Sequence, residues 1–173
     1  MTKHPSVPLW RAVPFLAFAI RDKWRHFGFR SYRDVHYPEF DLSAPAIDRR
    51  YDIVIAEQVL EHILRPYAAG RALLDLVNPG GYCLITTPFL IKVHYGPEDC
   101  TRWTATGLKY FLAECGFPLE RIQVGAWGNR ACAITNLYRF VAYRPRVHSL
   151  KNEPDFPVAV WALAQKAAGS QVL

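Results

Sequence analysis

Unbroken apolar runs alternate with helical stripes along this chain. Tyr51 to Ala56 is apolar after Asp52, the pattern of a strand covered on both faces. It stops abruptly at Glu57-Gln58 and passes into a helical segment ending at Glu61-His62. Pro66 suits a first helical position, and Ala69, Leu73, Leu76 and Val77 then recur on one helical face. Pro79-Gly80-Gly81 is expected to stop that helix and turn the chain into a second strand, Tyr82 to Thr86. Thr104 is placed to cap a helix with the stripe Leu108, Phe111, Leu112 and Cys115, and Gly116 fits the left-handed position after it. Arg121 to Trp127 reads as another strand, and Val158 to Ala164, fed by Pro154 and Pro157, as the last. Phe40-Asp41-Leu42 reads as a short extended stretch closed by Ser43-Ala44-Pro45. This alternation predicts an α/β domain with a mostly parallel sheet and helices on both faces.

The start of the chain fits this pattern less well. Ala12 to Ile20 is strongly apolar and is read as a buried strand. It is too short to cross a bilayer, which takes about 20 residues, and it ends in Arg21-Asp22-Lys23 without a small-residue cleavage site. Residues 1–31 are therefore set apart as a poorly matched segment, truncated or altered, ahead of a main domain over 32–173.

Composition adds two constraints. With 173 residues, 51% of them hydrophobic, the chain can bury the core of one domain. Its formal charge of +6 favours an acidic partner such as nucleic acid. The basic residues are scattered, however, with no run longer than Arg49-Arg50, and read as a solvated surface. Cys83, Cys100, Cys115 and Cys132 lie far apart without a CxxC pair. They read as free thiols in a reducing cytoplasm, and no metal site is expected.

Taken in order, Tyr51-Asp52 with the apolar run, Glu57-Gln58-Val59-Leu60-Glu61-His62, Asn78-Pro79-Gly80-Gly81, Tyr82 to Thr86 and Thr87-Pro88-Phe89 resemble the second half of a class I S-adenosylmethionine (SAM)-dependent methyltransferase of the type 11 group. The resemblance runs from about Tyr32 to Ala162. It implies a Rossmann-like methyltransferase fold, SAM as cofactor, and a methyl acceptor that the residues do not identify. One departure stands out. Such enzymes carry an acidic, glycine-rich loop after the first strand, whereas this chain runs from Ile20 into Arg21-Asp22-Lys23-Trp24 without a glycine. Side chains there fill space that glycines leave for the cofactor, so weak SAM binding, or none, is expected. A catalytically silent methyltransferase-like binding or scaffolding domain and a basic nucleic-acid-binding domain are the alternatives. An oligomer is left open.

Candidate chemistry gathers at strand ends, where open α/β sheets bind ligands. The resemblance places Glu57 and Gln58 beside the methionine part of SAM and Asp41 near its adenine amino group. Local alternatives are a helix-start role for Glu57 and a turn-capping role for Asp41. The Glu61-His62 pair reads as hydrogen-bonded helix residues. The segment Pro88 to Thr104 resembles a wall over the acceptor side. Within it, His94 and Arg102 are candidates to touch the acceptor, with Asp99 as a local partner for Arg102 and Phe89 as a packing partner for Trp103. A further cluster, Trp127-Gly128-Asn129-Arg130-Ala131-Cys132, also resembles this group and is expected to face the same cleft, with no role assigned to it.

Overall fold

The computed structural model describes residues 6–11, 31–96 and 98–169, with side chains described from residue 31 onward apart from Tyr32. Its strands are β1 (Ser6–Arg11), β2 (Ser31–His36), β3 (Tyr51–Glu57), β4 (Val77–Pro88), β5 (Ile122–Trp127) and β6 (Ala159–Gln165). Its α-helices are α1 (Pro66–Leu76), α2 (Ala105–Glu114) and α3 (Arg130–Tyr138). The strands form one sheet in the order β2-β1-β3-β4-β6-β5. Pairing is parallel from β2 through β4, and β6 runs antiparallel to both of its neighbours. The expected α/β, mostly parallel, Rossmann-like sheet flanked by helices is therefore present, with β3 and β4 adjacent and parallel. The apolar run over 12–20 lies outside the described residues. Its expected strand is not among them, and β1 precedes it in sequence.

The core sits where the sheet meets α1 and α2. Val54, Ile55, Ala56, Cys83 and Ile85 of the central strands are buried, as are Ala69, Leu73 and Leu76 of α1 and Leu108, Phe111 and Leu112 of α2. Each large apolar side chain so placed contributes roughly 1.5–3 kcal/mol relative to exposure. Pro66 occupies the start of α1. Thr104 caps α2 by accepting from the Gly107 amide at 3.0 Å, and Gly116 follows that helix at φ +108, a conformation that costs other residues roughly 1–2 kcal/mol. Among the described residues, no helix is long and apolar enough to cross a membrane.

Two local expectations need correction. Phe40-Asp41-Leu42 is not extended; the chain turns there, with the Phe40 amide donating to the His36 carbonyl at 2.8 Å. The extended residues are instead Ser31–His36. Pro79-Gly80-Gly81 does not terminate α1, which ends at Leu76, and the segment already belongs to β4. The register between β3 and β4 shifts between Tyr51 and Ile53, absorbing the extra residues. The far end of the chain holds this irregular stretch in place. The Lys166 amide donates to Gly81 at 2.9 Å, and Gln165 Nε2 donates to the Gly80 carbonyl at 3.0 Å. Lys166 Nζ donates to the carbonyls of Leu74 and Val77, both at 2.9 Å, placing a cation on the carbonyl end of α1.

Candidate functional site

Strand order reverses between β1 and β3: the chain moves outward from β1 to β2, then returns to place β3 on the opposite side of β1. Such a reversal opens a crevice at the carboxyl ends of the strands. Arg11 and Glu57 are register partners at this edge. Glu57 is the last residue of β3, and the next helical turn, a 3-10 turn, begins only at Leu60, so Glu57 does not start a helix. Gln58 follows in the left-handed region at φ 53. Its amide donates to the Thr86 carbonyl at 2.9 Å, and its Nε2 donates to Thr86 Oγ1 at 3.2 Å. Gln58 thus ties the ends of β3 and β4 together. Asp41, beyond the end of β2, accepts from the Ser43 amide through Oδ1 at 2.8 Å, which is the turn-capping geometry.

A second group of residues lies directly after this edge. The turn Leu60–His62 is stitched to the segment between β4 and α2: the Cys100 amide donates to the Glu61 carbonyl at 2.7 Å, and Thr101 Oγ1 donates to the Leu60 carbonyl at 3.2 Å. The stitching buries Glu61 completely and leaves the His62 side chain 3% exposed. Among the described residues, neither Glu61 carboxylate oxygen has a hydrogen-bond partner. Burial raises the Glu61 carboxyl to about 8, with the nearby Asp99 charge adding to the rise. Its own backbone amide and the Arg102 charge act in the opposite direction and do not cancel it. His62 Nδ1 bonds the Glu98 carbonyl. A carbonyl only accepts, so Nδ1 carries the proton and Nε2 presents its lone pair. Burial lowers the His62 pKa, consistent with a neutral ring.

Asp99 organises the outer part of this group. Its carboxylate accepts from both terminal guanidinium nitrogens of Arg102, the Nη2 bond measuring 2.5 Å. It also accepts from the His94 amide at 2.8 Å, and its Oδ2 lies 3.2 Å from His94 Nδ1. Burial alone would raise the Asp99 carboxyl. The Arg102 bonds and charge, with the His94 amide, overcome that and hold it below its ordinary value. The expected Asp99–Arg102 pair is therefore present, and Arg102 is committed to it. His94 meets His62 edge to face at 5.0 Å between ring centres. Trp103 packs against Phe111, with ring centres 5.2 Å apart.

The cluster Trp127 to Cys132 proves to be a structural corner. Asn129 caps α3 by accepting from the Cys132 amide at 2.8 Å, and its Nδ2 donates to the carbonyls of Ser149 and Lys151. The Arg130 amide donates to Glu153 Oε2 at 2.7 Å, and Trp127 Nε1 donates to the Leu150 carbonyl at 3.2 Å. These bonds fasten the 149–153 stretch to β5 and α3. Sequence reasoning missed both α3 and this role, although an Asn before a helical run is a capping signal.

Comparison with known proteins agrees with this architecture. Among solved structures, the chain is similar to a SAM-dependent methyltransferase from Archaeoglobus fulgidus, at 12% identity and a TM-score of 0.58, over 93% of this chain and 86% of that one. It is also similar to an S-adenosylmethionine-dependent methyltransferase from Mesorhizobium loti, at 14% identity and a TM-score of 0.56, over 96% and 94%. A SAM-dependent methyltransferase from Methanosarcina mazei is similar at 10% identity and a TM-score of 0.52, over 97% and 95%. No curated protein matches the chain. The family described as "methyltransferase domain" matches residues 15–119, more than half of the sequence. With the strand order and the crevice between β1 and β3, that match makes this chain a member of the methyltransferase-domain family.

Proposed function

We propose that this chain is a SAM-dependent methyltransferase domain that binds its cofactor in the crevice at the carboxyl ends of β1 and β3. The observation that carries this reading is the reversal of strand order between β1 and β3, with Glu57-Gln58 standing at the crevice. The donor set fits the group. SAM carries an ammonium, a carboxylate and a sulfonium, and the Glu57 carboxylate is an acceptor suited to the cations. Gln58 acts by holding the edge through Thr86. Asp41 is assigned to the adenine side. When bound, SAM supplies an activated methyl group. Alignment rather than strong acid–base chemistry is then the main demand on the protein.

The segment from Phe89 to Thr104 covers the acceptor side in this reading. His94 faces the acceptor, and Arg102 fixes the His94 backbone through Asp99. The acceptor is unassigned. A cytoplasmic setting is supported by four free thiols, Cys83, Cys100, Cys115 and Cys132. A second reading, a catalytically silent binding module, is favoured by the lack of any glycine between Arg11 and Phe27.

Titration calorimetry with SAM and with S-adenosylhomocysteine tests the choice. The expected result is weak but saturable binding, further weakened by Glu57→Ala by about 1.5–3 kcal/mol, the contribution of a charged hydrogen bond. Unchanged affinity in a folded Glu57→Ala variant removes Glu57 from the site. No binding of either compound favours the silent module.

A further inference from the structure

We propose that Glu61, His62 and His94 form a binding site for one divalent transition-metal ion of the zinc, iron or cobalt type. One ligand atom from each lies within 4.8 Å of the other two. Glu61 Oε1 and His62 Nε2 stand 3.6 Å apart. Metal bonds of about 2.0–2.2 Å place neighbouring ligand atoms roughly 3–3.5 Å apart. One edge of the triangle is therefore close to a coordinating geometry already. The remaining closure, roughly an ångström, falls on His94, which stands in a stretch outside any helix or strand.

The buried acceptors point to the same ion. Glu61 is fully buried with both oxygens unpartnered, and His62 Nε2 is equally buried and unpartnered among the described residues. Three acceptor atoms thus converge without a donor. A buried acceptor without a partner costs roughly 1–3 kcal/mol, and more when charged. A proton on Glu61 supplies one donor for the group, and 3.6 Å to His62 Nε2 is beyond hydrogen-bond range. A cation satisfies the converging lone pairs together.

The surrounding bonds match those of a metal-binding histidine. His62 presents Nε2 because Nδ1–H is held by the Glu98 carbonyl, and such an outer bond sets tautomer and ring direction in metal sites. Arg102 brings a positive charge nearby, with Nη2 3.4 Å from His94 Nδ1, but the two-pronged bond to Asp99 neutralises it. Two imidazoles and one carboxylate form a donor set of borderline softness that suits zinc or iron rather than calcium or magnesium. Three protein ligands leave further coordination positions open. The His94 side chain is 13% exposed, which provides the approach.

The test is titration of the chelator-treated full chain with Co2+, followed by visible absorption. The expected result is saturation at one ion per chain, with bands of a four- or five-coordinate nitrogen–oxygen site that Zn2+ abolishes. His94→Ala should weaken Co2+ binding by at least about 100-fold, beyond the 10–100-fold effect of losing an outer-shell partner. Glu61→Gln should do the same, and His148→Ala, at a half-buried histidine outside the cluster, should leave Co2+ binding unchanged. Absence of Co2+ binding up to millimolar concentrations overturns the site, as does binding that survives His94→Ala in a protein with unchanged circular dichroism. His94→Ala decides alone if Glu61→Gln does not fold.

Discussion

Gln58 and Thr86 join the ends of β3 and β4 twice, backbone to backbone at 2.9 Å and Nε2 to Oγ1 at 3.2 Å. The left-handed backbone of Gln58 allows its side chain to turn back on the neighbouring strand. A double-mutant cycle of Gln58→Ala and Thr86→Val should give a coupling energy of about 0.5–1.5 kcal/mol in urea unfolding. Additive losses would mean that the side-chain bond contributes nothing.

Arg102 and Asp99 form a two-pronged pair in which the Asp99 side chain is only 4% exposed. Arg102→Lys keeps the charge but lacks the planar fork. It should destabilise the fold by roughly 1.5–3 kcal/mol. In an acceptor assay it should lower turnover while leaving SAM affinity unchanged. A parallel fall in SAM affinity would place the pair at the cofactor instead.

Gly128 packs against backbone that cannot move aside. An added Cβ would stand 2.5 Å from the Val158 amide nitrogen and 2.8 Å from Pro157 Cα. Its own amide donates to Asn152 Oδ1 at 3.0 Å. Gly128→Ala should therefore destabilise the protein by about 3 kcal/mol or more through overpacking, read as a fall in the unfolding midpoint. Tolerance of alanine would show that the 149–158 stretch is held less tightly than its bonds imply.

Thiol labelling should separate the cysteines. Cys83 and Cys115 are buried, while Cys100 and Cys132 are partly exposed. At pH 8 in native buffer the last two should react first, and the buried pair only on unfolding. Burial, together with the Glu114 charge, raises Cys115 to about 11 against the pull of Arg71. A folded value above the unfolded one, 9.0, means stability that is fully present below pH 9 and is lost as pH rises from 9 towards 11. Cys115→Ala should flatten that alkaline slope. An unchanged slope assigns it to another group.

Much of the sheet was legible in the sequence because Tyr51–Ala56 and Tyr82–Thr86 are nearly unbroken apolar runs, although β4 buries only one face, with Cys83 and Ile85 inside and Tyr82 exposed. Tyr51–Glu57 and the later part of β4 fall within a residue or two of the expectation. β2 was not legible: Ser31-Tyr32-Arg33-Asp34-Val35-His36 lies at the sheet edge and is mostly polar. The Pro-Gly-Gly stretch continues as strand because its backbone bonds go to Lys166 and Ala167 and the Gln165 side chain holds Gly80, which no local pattern reveals. At the site, the Asp99–Arg102 pair was visible through its three-residue spacing. The approach of His94 to Glu61 and His62 was not, because it depends on Cys100 and Thr101 fastening a non-repetitive segment onto a single turn.

The placement of β6 has a consequence for the order of assembly. A ribosome makes β4 first, β5 next and β6 after both, yet β6 lies between them. Until Ala159–Gln165 has emerged, β4 and β5 each present an unsatisfied edge, and the stretch from Gly128 to Phe156 has no β6 to lead into. Nascent chains halted before residue 159 should therefore be open to proteases and prone to self-association through those edges. Release of the last strand should close both edges in one cooperative step.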